Sequence, residues 1–247
     1  MVNSSISGKG RCVENFGSHF VMEDQEYGEK CWRCMTMYRK HQNVLSYKES
    51  EYWWCLNEYL TNHVIIILGY CETYFDTFES LCDNIAGDSP MHTMFRRDAQ
   101  PVKCPFKGPF LFSYTKGGSG LNKCSYPQSY LDSCSDNHRL QLNFQACIDV
   151  QGSESATEEL QCLATWSEGS KNYLVAEMNR DHVYSDESKY RCFVYEKSGK
   201  GDNKTVKMAQ SLTATCNGLW SPMEGYRTFD MNKGVFLQNH DSCCSYW

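Results

Sequence analysis

Fifteen cysteines, spread over the whole length of the 247 residues, restrict the fold of this chain more than any other feature. Cytosolic thiols stay reduced and would serve mainly as metal ligands, whereas an oxidising compartment converts them into disulfides. We therefore predict a disulfide framework with at least one cysteine left over, because the number is odd. The candidate disulfide cysteines are Cys12, Cys31, Cys34, Cys82, Cys104, Cys124, Cys134, Cys147, Cys162 and Cys192.

Two tripeptides agree with a secreted protein. Asn3 and Asn203 begin the sequences NSS and NKT, which makes both asparagines candidate glycosylation sites. The N-terminal stretch MVNSSISGKGRC lacks the apolar segment of a signal peptide. The longest apolar run, Val64–Leu68, is far shorter than the roughly 20 residues of a membrane-spanning helix. We expect a fragment of a longer extracellular or cell-surface protein, with a membrane anchor only in a longer form of the chain.

Charge and composition argue against a nucleic-acid partner. The net charge is −6, and no long run of lysine or arginine occurs that could follow a phosphate backbone. Hydrophobic residues make up 41% of the chain, which is enough to build a packed core. We expect the partner to be an extracellular protein or a small apolar ligand.

Alternating apolar residues predict β-strands in the second half of the chain. In HRLQLNFQAC, the side chains of Leu140, Leu142 and Phe144 share one face, a two-residue period typical of half-buried strands. The segments LQCLATW and NYLVAEM flank the turn SEGSK, as in a β-hairpin. Further strands follow at short intervals, separated by turns rich in Gly, Ser and Asn. This spacing indicates an antiparallel barrel or sandwich.

The predicted fold is therefore mainly β, with two disulfide-stapled β-rich units. The first unit covers residues 1–95 and includes an irregular or helical insertion near 56–85. The second unit, the barrel or sandwich, covers residues 100–216. Residues 217–247 are rich in turn-forming residues and are predicted to be a tail.

The segment Cys31-Trp32-Arg33-Cys34 is a candidate zinc site. With His41, Cys55 or Cys71 it could supply the four ligands of a zinc site. A second C-x-x-C or a closely spaced histidine pair would be expected for zinc, and neither occurs. A redox pair is a further alternative, but the surrounding pattern is not βαβ. Structural disulfides explain the segment better, and we predict no metal site and no cofactor.

An acidic loop at residues 149–159 raises the question of catalysis. It carries Asp149, Glu154, Glu158 and Glu159, but their spacing is not that of a calcium-binding loop. Two of these carboxylates could form a glycosidase pair only if they converge in space. The sequence contains no motif of a nucleophile with its base. We predict that the protein is not an enzyme, and that carboxylates pointing into solvent would exclude catalysis by this loop.

Aromatic residues in the second unit allow a different function. Phe110, Phe112, Phe144 and Trp166 could line a cavity inside a lipocalin-like barrel that binds a small apolar ligand. A packed core is the more common use of such side chains in small barrels. A structure in which side chains fill the interior would argue against the ligand-binding alternative.

The preferred function is an extracellular, non-enzymatic interaction or structural module. Such a module predicts a filled core and an exposed apolar or aromatic patch. Disulfide pairing does not follow from spacing. Two pairs are nevertheless proposed: Cys162 with Cys192, on two strands of one sheet, and Cys104 with Cys124, closing the GPFLFSY hairpin.

The chain also resembles a known family. The motifs that carry the resemblance are GRCVE, CWRCMTMYRKHQNVLSYKES, CPFKGPFLFSY, LDSCSD, LQCLATW, YLVAEM and YRCFVYE. They are similar to an arthropod family of large, cysteine-rich, secreted or membrane-anchored proteins built of consecutive domains of unknown function. The resemblance covers most of residues 8–230 and implies an extracellular chain that is truncated at both ends. It implies no catalytic residue.

Two segments depart from the family pattern. One is the insertion LNEYLTNHVIIILGYCETYF, which contains Cys71, and the other is the C-terminal tail with Cys243 and Cys244. The resemblance therefore leaves open how Cys55, Cys71, Cys243 and Cys244 pair.

Overall fold

The computed structural model describes residues 5–26, 29–50, 54–55, 77–117, 122–133, 136–179, 189–201 and 204–234. β-Strands make up 58% of this part of the chain and helix 3%, which confirms the mainly-β prediction. It divides into two compact units. One is drawn from residues 1–40 and 45–94, and the other from residues 41–44 and 95–247.

The first unit is built on a seven-stranded sheet with the strand order β1-β2-β3-β4-β5-β7, in which β6 pairs with β4. A tight turn joins β2 to β3, and Gly17 adopts a positive φ of 63° there, which favours a residue without a Cβ. The elements are β1 (Ser5–Ile6), β2 (Gly10–Phe16), β3 (His19–Glu26), β4 (Glu29–His41), β5 (Val44–Glu49), β6 (Trp54–Cys55), α1 (Phe78–Asp83) and β7 (His92–Phe95).

The helix α1 is fixed to this sheet by a disulfide and by apolar packing. The Thr77 hydroxyl caps the helix by accepting a hydrogen bond from the Ser80 N–H at 3.4 Å. Leu81 and Cys82 pack against β3 and β4, and Cys82 forms a disulfide with Cys34 of β4. The helix lies at the end of the insertion predicted near 56–85, whose residues 56–76 are outside the described residues.

A partly buried ion cluster links the turn before β2 to β4 and β5. The Glu49 carboxylate accepts hydrogen bonds from the Lys9 ammonium at 2.7 Å and from the Arg33 guanidinium at 2.8 Å. Burial raises the pKa of Glu49, but the hydrogen bonds and charges of Lys9 and Arg33 outweigh burial. The pKa of Glu49 therefore lies below its ordinary value of 4.5.

Replacing Glu49 by Gln is expected to lower the free energy of unfolding at neutral pH by about 1–3 kcal/mol, because buried Arg33 loses a counterion. Since the pKa of Glu49 is lower in the folded state, this contribution is present above the unfolded pKa. It is lost as the pH falls through the folded pKa. Urea unfolding midpoints of wild type and E49Q should therefore converge on acidification. Glu14→Gln, at an exposed position of β2, is the control, and a difference that stays constant with pH would contradict this explanation.

The second unit contains a closed, eight-stranded antiparallel barrel, which confirms the predicted architecture. Its strands follow the order β10-β11-β12-β13-β14-β15-β8-β9 around the barrel. The strands are β8 (Phe110–Lys116), β9 (Cys124–Asp132), β10 (Arg139–Phe144), β11 (Ala156–Glu168), β12 (Lys171–Asn179), β13 (Tyr190–Ser198), β14 (Thr205–Gln210) and β15 (Arg227–Lys233). The predicted hairpin is β11 and β12, whose ends meet where Glu168 lies opposite Lys171.

The last strand lies beyond the boundary predicted at residue 216. In the segment 217–247, which the sequence predicts to be a tail, β15 pairs with both β14 and β8 and closes the barrel. Its residue Phe229 lies opposite Met208 of β14 and Tyr114 of β8. Strand β15 is short and follows a long turn-rich stretch. The alternation that places Phe229 and Met231 in the interior is therefore difficult to recognise in the sequence.

Apolar side chains fill the barrel interior in a single cluster. Every second residue of a strand points inward, so β10 contributes Leu140, Leu142 and Phe144, as its sequence predicts. Further inward-facing members from the other strands are Phe110, Phe112, Tyr114, Leu131, Leu160, Cys162, Leu174, Ala176, Met178, Phe193, Tyr195, Val206, Met208, Phe229 and Met231.

A β-bulge in β11 changes which residues face inward. The register of β11 against β12 shifts between Cys162 and Ala164. Cys162 therefore belongs to the interior cluster, whereas Ala164 and Trp166 lie in a second apolar cluster on the outer face of the barrel. The expectation that Trp166 lines the interior is thus wrong, because one extra residue reverses the alternation of the strand.

The disulfides of the second unit differ from both proposed pairs. Cys104 is bonded to Cys162, Cys124 to Cys147, and Cys192 to Cys216. The proposed pair Cys162–Cys192 is wrong because Cys162 faces the interior and Cys192 faces the outer cluster. The proposed pair Cys104–Cys124 is also wrong. The segment containing Cys104 runs beside β11, where the Val102 N–H donates to the Cys162 carbonyl at 2.8 Å.

Two further cysteines of the first unit, Cys31 and Cys12, differ in their bonding state. Cys34 is bonded to Cys82 and Cys31 is also disulfide-bonded, so the two sulfurs do not pair with each other as in a C-x-x-C redox site and are not thiolates that could bind zinc. Cys12, a predicted disulfide cysteine, instead carries a free, half-buried thiol at a bulge of β2. Of the cysteines and glycosylation candidates named in the sequence analysis, the following lie outside the described residues: Cys71, Cys134, Cys243, Cys244, Asn3 and Asn203.

Candidate functional site

The centre of the barrel is occupied by aromatic rings that contact one another. The ring of Phe112 lies 5.5 Å from that of Phe144 and 5.7 Å from that of Phe229, with edge-to-face geometry. Tyr114 lies 5.1 Å from Phe144. Three of the four residues proposed to line a ligand cavity, including Phe110, therefore pack against other side chains. This arrangement argues against a lipocalin-like carrier.

The acidic loop begins with a compact turn at one end of the barrel. The Ser153 hydroxyl accepts a hydrogen bond from the Cys147 N–H at 2.9 Å, and the Ser155 hydroxyl accepts one from the Ala146 N–H at 3.0 Å. The disulfide from Cys147 to Cys124 joins this turn to β9. Hydroxyl groups and a disulfide, rather than carboxylates, thus hold the loop in shape.

The four carboxylates of this loop do not converge. Asp149 and Glu154 are exposed to solvent, whereas Glu158 and Glu159 are consecutive strand residues and point to opposite faces of β11. The Glu159 carboxylate pairs with Arg139 on the outer face, at 2.6 Å. The described residues also contain no group of three or more His, Cys, Asp or Glu side chains that could hold a metal ion.

Glu158 instead forms an ion pair inside one end of the barrel. Its carboxylate accepts a hydrogen bond at 3.0 Å from Arg227 on β15, four strands away around the barrel. The Arg227 guanidinium also lies over the Phe144 ring, 4.6 Å from its centre. The pair caps the apolar core, because it neutralises two buried charges and covers the aromatic cluster. The negative charge of Glu158 is therefore balanced by Arg227 within the fold.

A shallow cleft of about 330 Å³ lies beside the same turn. Its lining contains one charged side chain, Lys116, and no pair of a nucleophile and a base. Two hydroxyls at the cleft are already hydrogen-bonded: the Ser153 hydroxyl is engaged by the loop backbone, and the Tyr114 hydroxyl donates to the Gln145 carbonyl at 3.1 Å. The cleft can hold a small group but offers no arrangement for acid–base chemistry. Its lining residues are Tyr114, Lys116, Gly117, Asn122, Val150, Gln151, Gly152, Ser153 and Tyr226.

The most distinctive surface is the connection between β14 and β15, which we term the 211–224 loop. It exposes three large apolar side chains: Leu212 is 60% exposed, and Trp220 and Met223 are each 61% exposed. Large apolar side chains are more often buried, and here three are exposed within one fourteen-residue loop. The cation of Lys171 lies 5.2 Å from the centre of the Trp220 ring.

The 211–224 loop is fixed to the outer face of the barrel. The disulfide between Cys192 and Cys216 joins it to β13, and the Cys192 N–H donates to the Ser211 hydroxyl at 3.0 Å. Leu219 is buried in the outer cluster, and its carbonyl accepts a hydrogen bond from the Tyr173 hydroxyl at 3.3 Å. The loop therefore presents its exposed residues on a backbone that is held at several points.

None of these residues follows from the sequence analysis. Cys216 is absent from the candidate disulfide cysteines, and the segment around Trp220 is predicted to be part of a tail. A signal was nevertheless present, because NGLWSPMEG combines Trp and Met with Gly and Pro. Turn-forming residues around large apolar residues are typical of an exposed binding loop rather than of a core strand.

The disulfides bear on the environment in which the chain folds. The disulfides in both units indicate an oxidising, extracellular environment. Among the helices of the described residues, none has the length and apolar character needed to cross a membrane.

Comparisons with known proteins assign the chain to families without assigning an activity. Residues 1–85 match the family described as Domain of unknown function (DUF7044), and residues 100–233 match Domain of unknown function (DUF7042). No curated protein and no solved structure matches the chain. The expected construction from consecutive domains of unknown function is confirmed. Since the match at residues 100–233 spans more than half of the 247 residues, the chain belongs to the DUF7042 domain family.

Proposed function

We propose that this protein is an extracellular, non-enzymatic interaction module whose 211–224 loop docks a protein partner. The observation that carries the proposal is the exposure of Leu212, Trp220 and Met223 on a loop held by the Cys192–Cys216 disulfide. Exposed apolar surface is costly in water, and a partner that covers it recovers that free energy.

The loop has the properties of a binding anchor. Tryptophan is among the residues most enriched at the energetic centres of protein interfaces. The disulfide and the buried side chain of Leu219 restrict the loop before any partner arrives. The loss of conformational entropy on binding is therefore small, which favours affinity.

Two features support an interaction module over the other candidates. The interior of the barrel is filled by rings such as Phe112 and Phe229, which leaves the outer surface for recognition. The carboxylates of the acidic loop are separated, and Glu158 is already paired with Arg227. The filled interior does not favour a carrier, and the separated carboxylates do not favour an enzyme that uses the acidic loop.

Replacing Trp220 by Ser is expected to reduce partner binding at least about tenfold, the effect of truncating an aromatic anchor. The measurement is saturation binding of the fluorescently labelled chain to cells and extracellular matrix of its own organism. Trp220 is mostly exposed, so W220S should unfold at the same urea concentration as wild type.

The matched control is Tyr126→Ser, which removes an aromatic side chain that is 84% exposed on β9. This variant should bind like the wild type. Equal binding by W220S and wild type would overturn the proposed docking surface, as would an equal loss in W220S and the Tyr126 control.

A further inference from the structure

Two arginines occupy an exposed turn at the start of the second unit. Arg96, Arg97 and Asp98 follow directly after β7, and all three are exposed to solvent. No strand or helix is formed from residue 96 until β8 begins at Phe110. The pair also lies in the interval of residues 86–99, which neither family match covers.

A single residue, Asn43, holds both ends of this turn. Its carbonyl accepts a hydrogen bond from the Arg96 N–H at 3.0 Å, and its side-chain amide donates to the Gln100 carbonyl at 3.0 Å. Between these points, Arg97, Asp98 and Ala99 make no hydrogen bond within the described part of the chain. The peptide bonds around Arg97 are thus accessible and free of the sheet hydrogen bonds that protect strands from proteases.

We propose that the Arg97–Asp98 bond is a processing site for a serine endoprotease that recognises paired basic residues. Hydrolysis consumes one water molecule and breaks the bond between the Arg97 carbonyl carbon and the Asp98 nitrogen. It leaves a carboxylate on Arg97 and an ammonium on Asp98. This proposal requires that the chain is secreted, but it does not depend on the 211–224 loop.

The sequence contains a second basic pair that serves as an internal comparison. Arg39 and Lys40 lie within β4, where the backbone belongs to the sheet. Proteases bind their substrates in an extended form that a paired strand cannot offer without local unfolding. The structure therefore favours cleavage after Arg97 over cleavage after Lys40, although both pairs have the same charge.

The fold also determines whether the two pieces separate after cleavage of the Arg97–Asp98 bond. Residues 41–44 belong to the second unit, although they precede the cleaved bond in the chain. Asn43 donates a further hydrogen bond to the Leu163 carbonyl at 2.8 Å, and Val44 is buried in the outer cluster of the barrel. These contacts hold the two pieces together, so cleavage produces a two-chain protein rather than two separate fragments.

The test is expression of the full chain behind a secretory signal in cells that contain proteases specific for basic pairs. Reducing gels and mass spectrometry of the secreted protein should reveal a new N-terminus at Asp98, and the two pieces should co-elute in native size-exclusion chromatography. Arg97→Gln should abolish the cut, and Arg39→Gln should leave it unchanged.

Three outcomes would overturn the proposal: a secreted chain that stays intact at Arg97, a chain cut first after Lys40, or unchanged cleavage of R97Q. Separation of the two pieces under native conditions would overturn the inference that residues 41–44 hold them together. Because Arg97 is exposed, R97Q should fold like the wild type, which a urea unfolding curve verifies.

Discussion

Replacing both Cys104 and Cys162 by serine is expected to lower the free energy of unfolding of the barrel by about 4 kcal/mol. The two cysteines are 58 residues apart in sequence, so their disulfide closes a long loop and strongly restricts the unfolded chain. Both are buried in the interior cluster, and the new hydroxyls would add a further cost because they replace an apolar group.

Urea unfolding under oxidising conditions, followed by tryptophan fluorescence, measures this loss for the double variant. The control is Cys12→Ser, which changes a free thiol and should alter stability by no more than about 0.5 kcal/mol. A loss below about 1 kcal/mol in the double variant would contradict a disulfide between Cys104 and Cys162 that constrains the unfolded chain.

The second large effect is expected for Phe112→Ala, which should lower the free energy of unfolding by about 3–5 kcal/mol. Phe112 is 2% exposed, and its ring contacts those of Tyr114, Phe144 and Phe229. Truncation removes these contacts and leaves a cavity that the closed barrel cannot collapse to fill. Tyr126→Ala, at a position that is 84% exposed, should stay within about 0.5 kcal/mol of wild type.

The Phe112→Ala variant also distinguishes a packed core from a ligand site. A filled barrel should not bind a fluorescent apolar probe, whereas the cavity of F112A should admit a small apolar molecule such as benzene. If the wild type binds an apolar probe with high affinity and F112A binds it more weakly, Phe112 would line a real ligand site. That result would favour the carrier function over the interaction module.

The strands with regular alternation could be predicted from the sequence. Leu140, Leu142 and Phe144 face the interior as expected, because a strand that is buried on one face follows a strict two-residue period. The hairpin of β11 and β12 follows from its Gly-containing turn, where Gly169 has a positive φ of 59°. Local chemistry determines these features, so a single sequence reveals them.

Features that depend on distant parts of the chain could not be predicted. Cys162 and Cys192 lie on strands of one sheet, but their sulfurs point to opposite sides of it, so shared location does not allow a disulfide. The bulge that moves Trp166 outward depends on pairing with β12. The pairing of Glu158 with Arg227 joins residues 69 positions apart, and only the closed barrel brings them together.

The candidate site was the least predictable part. The carboxylates of the acidic loop are close in sequence, but the alternation of side chains along a strand places Glu158 and Glu159 on opposite faces. The sequence does not indicate which apolar residues of the 211–224 loop are exposed, because a turn-rich segment has no periodic pattern. The exposure of Trp220 is seen only in the structure, where its neighbour Leu219 is buried.

Closure of the barrel by β15 determines how the second unit can bind other molecules. An open sheet has edge strands with unpaired N–H and C=O groups, to which a strand from another molecule can add. In the second unit each of the eight strands has a partner on both sides. Barrels of two neighbouring molecules are therefore protected from fusing into a continuous sheet. Contacts of the barrel with other molecules must be made by side chains and connecting loops.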